Sequence, residues 1–153
     1  MGIKKVNPLF IVFPFLILSL GMSCAPRKSA SLQVERSVLQ LMVEQALGDI
    51  ESAYASKNKD DFLGFLDKDF VQKERFGSVL ESYFLSVNNP HLHFVIDMVI
   101  ADKDGINVRL HWFRKAVTSS GVLIKLQGSS QLLFKRYPQE LRLKRILQEN
   151  PFF

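Results

Sequence analysis

The sequence has 153 residues, of which 47% are hydrophobic, and a formal net charge of +5. This length fits one domain with a sizeable core, and a single cysteine excludes an intramolecular disulfide framework. Residues 29–104 hold 7 basic and 13 acidic side chains, whereas residues 105–153 hold 9 basic and 2 acidic ones. Because the basic residues are spread along alternating strand patterns and not clustered in an arm or helix, we expect a solvated sheet face and no nucleic-acid partner.

The first residues have the three parts of a secretory signal. Lys4 and Lys5 form a short basic head, an uncharged apolar run covers residues 8–22, and small residues lie at its end. A helix that spans a membrane needs about 20 apolar residues. This run is shorter, and Pro14 interrupts it. The pattern predicts a signal peptide over residues 1–23.

Cys24, the only cysteine, stands where this signal ends. The stretch LGMSC resembles the lipobox of bacterial lipoproteins, with the small residue Ser23 just before the cysteine. The resemblance implies cleavage before Cys24, lipidation of its sulfur and acylation of the new amino terminus, with palmitate among the acyl chains. A buried or incidental cysteine is the alternative.

The lipobox resemblance also implies a location. Two or three acyl chains on one residue give stable anchoring, so we expect a protein held to the membrane through Cys24 in the bacterial cell envelope. Ala25 follows the cysteine. In enterobacterial lipoproteins an aspartate there retains the protein at the inner membrane, so its absence favours the outer membrane, facing the periplasm.

Three helices are predicted after a polar tether at residues 24–31. Apolar residues at three- and four-residue spacing over residues 32–54 indicate one long amphipathic helix. Asn58 is placed to cap a short second helix. A third helix covers about residues 73–87, and the sequence NNP ends it.

The hydrophobic period then changes to two, which is typical of strands. A turn is predicted at residues 102–105, with Gly105 at positive φ, and residues 122–136 read as a strand pair or as one long strand with a kink or bulge at Gly128. Alternation predicts a first strand with these side chains facing the helices: Leu92, Phe94, Ile96, Met98 and Ile100. Three helices followed by an antiparallel sheet predict one α+β domain over residues 32–153.

This order of elements resembles the nuclear transport factor 2-like fold, also called the ketosteroid isomerase or SnoaL-like α+β roll. Two stretches carry the resemblance: AYASKNKDDFLGFLDKDFV at residues 53–71 and GSSQLLFKRYPQELRLKRIL at residues 128–147. In the second, Leu141, Leu143 and Ile146 stand at spacings of two and then three, which implies a bulge. The resemblance implies a curved sheet wrapped round the helices and a cavity that can bind a small apolar molecule.

The resemblance also raises an enzymatic alternative. Ketosteroid isomerases of this group pair a carboxylate base with a tyrosine donor. Glu74 lies near the base position, but Ile50 stands where the tyrosine is expected. Glu74 also begins a helix, where a carboxylate is favourable without catalysis. We therefore predict no assembled catalytic site, with a cofactor-free isomerase or lyase using Glu74, or His93 with Asp97, as the alternative.

A cluster of polar residues lies on the first two predicted strands. The HLH spacing places His91 and His93 on one strand face, with Asp97 along the strand and Arg109 and His111 on the next strand. Two imidazoles at this spacing suit a metal. These polar residues alternate with the apolar ones along the strands, however, which favours a polar face turned outward from the helices. We therefore predict no metal and no cofactor.

The residues predicted to line the cavity are apolar or aromatic. They are Tyr54, Phe65, Tyr83, Phe84, Phe94, Met98 and Trp112. Simple core filling is the alternative for this set. On the outer sheet face, Val95, Val99 and Phe113 predict an apolar strip that suits a homodimer or an envelope protein partner. We therefore predict a non-catalytic binding domain.

Overall fold

The computed structural model describes the backbone of residues 27–153 and the side chains of residues 37–153. The predicted signal peptide and Cys24 lie outside the described residues. Three helices precede four strands: α1 (Arg27–Ala55), α2 (Lys59–Gly64), α3 (Lys73–Ser86), β1 (Val87–Asp102), β2 (Gly105–Thr118), β3 (Leu123–Arg136) and β4 (Leu141–Gln148). The strands form one antiparallel sheet in the order β1-β2-β3-β4. The predicted α+β fold is confirmed.

Helix α1 begins at Arg27, so residues 27–31, predicted as part of a tether, are helical. No glycine or proline stands between Pro26 and Gly48, and Lys28 and Ala30 favour the helix. Asn58 caps α2 as predicted, because its Oδ1 accepts a hydrogen bond from the Asp61 N–H at 3.1 Å. Within residues 27–153, no helix combines the length and apolarity needed to cross a bilayer.

Glycines shape the sheet at two points. Gly105 closes the β1–β2 turn at φ +144°, and a Cβ there would collide with the Phe134 carbonyl. β3 is one long strand, and its pairing with β2 continues through Gly128, which lies opposite Trp112. The predicted bulge at Gly128 is therefore wrong. Glycine is needed there because a Cβ would overlap the Trp112 ring and the Glu149 side chain.

A bulge in β4 confirms the one implied by the apolar spacing. Leu133 pairs with Arg145 and Phe134 with Leu143, so Lys144 is the extra residue. The extra residue lets Leu143 and Ile146 both pack against the core.

A second bulge, in β1, reverses the predicted orientation of several side chains. Ile96 pairs with Leu110 and Met98 with Arg109, so Asp97 is the extra residue. One added residue shifts the period of two by one position, which exchanges the two sheet faces. Met98 and Ile100 are therefore exposed, and Val99 packs against the core. The predictions that the first two face the helices and that Val99 faces outward are wrong.

The loop between α2 and α3 runs beside β4 and joins it by backbone hydrogen bonds. The Leu143 N–H donates to the Phe65 carbonyl and the Asp67 N–H donates to the Leu143 carbonyl, each at 2.8 Å. The Asp67 side chain is buried, and the Tyr137 hydroxyl donates to its Oδ2 at 2.7 Å. The acidic segment at residues 67–69 thus holds the helices against the far edge of the sheet.

Candidate functional site

Aromatic rings from three elements, α2, α3 and β1, surround one position between the helices and the sheet, and the Phe152 ring occupies it. We call this the aromatic pocket. Ring centroids lie 4.9 Å from Phe152 at Phe62, 5.9 Å at Phe76 and 6.2 Å at Phe94, each in an edge-to-face arrangement. Edge-to-face contacts of this kind are the favoured geometry of aromatic pairs.

Each ring of the pocket is placed by the local sequence pattern. Phe62 is the buried residue of the short helix α2, Phe76 lies one turn into α3, and Phe94 alternates with exposed neighbours on β1. Tyr54 ends the buried face of α1, and its hydroxyl donates to the Phe152 carbonyl at 3.0 Å. The pocket is therefore built from all the helices and from the edge strand β1.

The Tyr54 hydroxyl acts here as a donor. Burial, with a contribution from the neighbouring Tyr83 side chain, raises the pKa of Tyr54 above its ordinary value, while Arg114 partly opposes this shift. A phenol with a raised pKa stays protonated near neutral pH and can hold an acceptor oxygen.

Arg114 supplies a positive charge at the wall of the pocket. It follows Leu110 and Trp112 at spacing two on the buried face of β2, and it is only 9% exposed. Its guanidinium carbon lies 5.3 Å from the Tyr83 ring centroid and 5.7 Å from that of Trp112. Its Nη1 donates to the Pro151 carbonyl at 3.4 Å. The charge is thus stacked against rings, and the hydrogen bond found for it within the described residues is a long one to a backbone oxygen.

A surface cleft of about 330 Å³ lies next to the aromatic pocket. Phe76 and Phe153 line it, and their ring centroids are 5.1 Å apart. Because Phe76 also contacts Phe152, the cleft and the pocket share a wall. The charged side chains that line the cleft are Arg75 and Arg145.

The predicted cavity residues divide into three groups. Tyr54, Phe94 and Trp112 are buried at the pocket, Phe84 packs edge-on against Tyr54 at 5.4 Å, and Tyr83 is half-buried against both. Phe65 lines a different groove, of about 410 Å³, between α1 and the β3–β4 connection.

Met98 lies outside the pocket altogether. It is 42% exposed on the outer face of the sheet, because the bulge at Asp97 turns it away from Phe94. Its predicted place in the cavity is wrong for that reason.

The polar candidates lie away from the pocket. Glu74 is exposed in the first turn of α3. The His111 Nδ1 is 2.8 Å from the Asp97 carboxylate, so Asp97 pairs with His111 and not with His93. His91, His93 and His111 are exposed on the outer face of the sheet. Among the described residues, no group of three or more potential ligands is arranged to hold a metal ion.

His93 is paired with a helix residue. Its Nδ1 lies 3.4 Å from the Glu51 carboxylate of α1, and the same carboxylate oxygen accepts a hydrogen bond from the Phe94 N–H at 2.6 Å. Glu51 therefore joins α1 to the edge strand β1.

Sequence reasoning missed Arg114, Pro151 and Phe152. The signal for Arg114 was present, since a charged residue stood at an inward position of an alternating strand. Residues 150–153 were recognised only as an apolar end, and their contacts with α1, α2 and α3 are too distant in sequence for a local pattern to predict.

Neither a protein-family model nor a curated protein sequence matches this chain. Solved structures match its fold. A conserved protein from Planctomyces limnophilus has a TM-score of 0.66 at 16% identity, with 72% of this chain and 94% of that chain covered. A nuclear transport factor 2-like superfamily protein from Salmonella enterica serovar Typhimurium has a TM-score of 0.63 at 9% identity, with 76% and 93% covered.

A provisionally assigned scytalone dehydratase from Novosphingobium aromaticivorans has a TM-score of 0.63 at 13% identity, with 72% of this chain and 83% of that chain covered. These superpositions give the chain the nuclear transport factor 2-like fold, which confirms the resemblance drawn from the sequence. At such identities the likeness extends to the fold alone.

Proposed function

We propose that the chain is an envelope lipoprotein whose domain binds a small apolar molecule between its helices and its sheet. The aromatic pocket is the observation that carries the proposal: rings of α2, α3 and β1 surround a position that a phenyl ring fills. An external ring can make the same edge-to-face contacts. The adjoining cleft, at about 330 Å³, has the size of a small-molecule site and shares the Phe76 wall with the pocket.

The placement of the acid–base candidates supports binding without catalysis. Glu74 is exposed at the start of α3, and the Asp97–His111 pair lies on the outer face of the sheet. A general base must lie within hydrogen-bond reach of the proton that it removes. None of these groups reaches a molecule in the aromatic pocket, so the pocket is proposed as a binding site.

A neutral probe tests this function. Trp112 is the only tryptophan of the sequence and lies beside the pocket, so its emission should report occupancy. We expect 3-phenylpropanamide, which has the ring and carbonyl of a phenylalanine residue, to change Trp112 emission saturably in the wild type. Phe152→Ala should bind it about tenfold more tightly, because the chain's own ring no longer competes for the pocket.

Leu85→Ala is the matched control, because Leu85 is an exposed apolar residue of α3. It should leave the affinity for the amide unchanged. If neither the wild type nor a folded Phe152→Ala variant binds the amide saturably, the pocket is core and the proposed function is wrong.

A protein partner on the sheet is the second candidate. The outer face exposes a strip of large apolar residues, made of Val95, Met98, Ile100 and Phe113. Exposed apolar strips of this kind suit protein interfaces. We propose that a second copy of the chain or another envelope protein covers this strip.

A further inference from the structure

We propose that the aromatic pocket takes an aromatic carboxylate, whose anion is held by Arg114 in competition with Pro151 and Phe152 of the chain itself. The inference rests on the proposed binding function and adds the charge of the ligand. It begins from a buried cation without an anionic partner.

The Arg114 guanidinium is buried but unpaired with any acid in the described part of the chain. The ion pairs found over residues 37–153 do not include it, so no described carboxylate lies within 4.0 Å. Its Nε is buried and has no hydrogen-bond partner in the part of the chain that the structure describes. Buried charges are normally paired, since removal from water is costly. Among the described residues, this guanidinium therefore has no anion paired with it.

The neighbouring indole carries a second buried donor. The Trp112 Nε1 is buried and, like the Arg114 Nε, has no hydrogen-bond partner among the described residues. The two side chains are in contact, with the guanidinium carbon 5.7 Å from the Trp112 ring centroid. Two unpaired donors on adjacent side chains match the several lone pairs of a carboxylate.

Residues 151 and 152 resemble such a ligand in their chemistry. They place the Phe152 phenyl ring in the pocket. The Phe152 carbonyl oxygen accepts a hydrogen bond from the Tyr54 hydroxyl at 3.0 Å, and the Pro151 carbonyl oxygen accepts one from the Arg114 Nη1 at 3.4 Å. The second contact is long for a hydrogen bond to a charged donor, which is commonly 2.7–2.9 Å with a carboxylate. A carboxylate would therefore satisfy Arg114 better than the carbonyl does.

The cleft beside the pocket also favours an anion. The charged residues lining the adjoining cleft are Arg75 and Arg145. Neither forms an ion pair with a described residue. A cleft lined by one sign of charge raises the local concentration of the oppositely charged ligand.

The test compares 4-phenylbutanoate with its neutral amide, because the two differ mainly in charge and their carboxyl carbon is as many bonds from the ring as the Pro151 carbonyl carbon is from the Phe152 ring. We expect the wild type to bind the carboxylate about tenfold more tightly than the amide, measured by Trp112 emission and by calorimetry. Phe152→Ala should bind both ligands more tightly by a similar factor, so the ratio of the two affinities should stay the same. Arg114→Gln should bring the ratio close to one, and Arg114→Lys should restore part of it.

Arg109→Gln is the control, since Arg109 is an exposed arginine on the outer face of the same strand, and it should keep the full ratio. Equal binding of carboxylate and amide by the wild type and by Phe152→Ala would overturn the inference and leave the proposed binding function standing. Binding of neither probe to either protein would overturn both. The wild-type ratio needs no variant, so it decides the question even if Arg114→Gln does not fold.

Discussion

At the scale of single residues, Asp67 shows how the stability of a loop can depend on the charge of one carboxylate. Its side chain is 0% exposed and accepts hydrogen bonds from the Tyr137 hydroxyl at 2.7 Å and the Asp69 N–H at 2.9 Å. Burial by itself raises the pKa of Asp67, but these two hydrogen bonds and the nearby Lys135 charge outweigh it and hold the pKa below its ordinary value. The fold therefore favours the ionised form.

This shift predicts a pH dependence of stability. The pKa of an aspartate in an unfolded chain is about 3.9. Because the pKa is lower in the folded chain, the contribution of Asp67 is present above that pH and is lost as the pH falls through the folded-state value. We expect Asp67→Asn to lower the free energy of unfolding near pH 7 and to flatten its decline toward about pH 3, as measured by urea denaturation.

Asp104→Asn is the control for this effect, because Asp104 is exposed in the β1–β2 turn. It should keep the wild-type pH profile. If the free energy of unfolding of Asp67→Asn changes with pH in the same way as that of the wild type, the carboxylate charge is not what stabilises this loop.

At the scale of elements, the bulge in β1 decides which residues the sheet buries. Met98 and Val99 are adjacent, yet the first is exposed and the second packs against the core. Uninterrupted alternation from Phe94 predicts the opposite assignment. The two positions are therefore a direct test of the bulge.

A charged side chain at each position should distinguish the two orientations. Val99→Asp should lower the free energy of unfolding by about 1–3 kcal/mol, because it places a carboxylate against the core. Met98→Asp should change it by no more than about 0.5 kcal/mol, as is usual for exposed sites. Chemical denaturation of both variants measures the difference, and a larger loss for Met98→Asp would mean that β1 alternates without interruption.

The helices and the order of the strands could be predicted because their signals are local. The buried positions of α1 recur every three or four residues, and the Leu143–Ile146 spacing revealed the bulge in β4. The bulge at Asp97 left no such signal, since apolar residues stand on both sides of it in either register. Bulges of that kind depend on pairing with the neighbouring strand, which a single sequence does not specify.

The site was predictable only in part, for a related reason. Tyr54, Phe94 and Trp112 were recognised because they are large aromatic residues at inward positions. Phe152 was not, because its partners Phe62, Phe76 and Phe94 lie far away in the chain. When all the contacts of a residue are with residues far away in the sequence, no local periodic pattern predicts those contacts.

At the scale of the whole molecule, the proposed anchor at Cys24 determines where the domain works. We expect the wild type, expressed in a bacterium, to begin at Cys24, to carry acyl mass and to partition with membranes. Cys24→Ser should keep the signal and lose the acyl mass, because the serine hydroxyl does not replace the thiol in the thioether. Intact mass spectrometry and membrane fractionation measure both properties.

One control accompanies the anchor experiment. Ser29→Ala, a substitution of similar size after the proposed cleavage point, should behave as the wild type does. Release of wild type and Cys24→Ser as the same unmodified protein would contradict the lipoprotein proposal and leave the proposed binding site unaffected.

The two edge strands of the sheet limit how the molecule can associate. On β1, the Glu51 carboxylate accepts the Phe94 N–H, and on β4, Leu143 exchanges backbone hydrogen bonds with Phe65 and Asp67. Open strand edges are templates for extension by another chain and for fibril growth. Because side chain and loop already occupy these groups, an incoming strand would have to displace them before it could add to the sheet. We expect these contacts to oppose the addition of a strand from another copy of the domain at Phe94 and at Leu143.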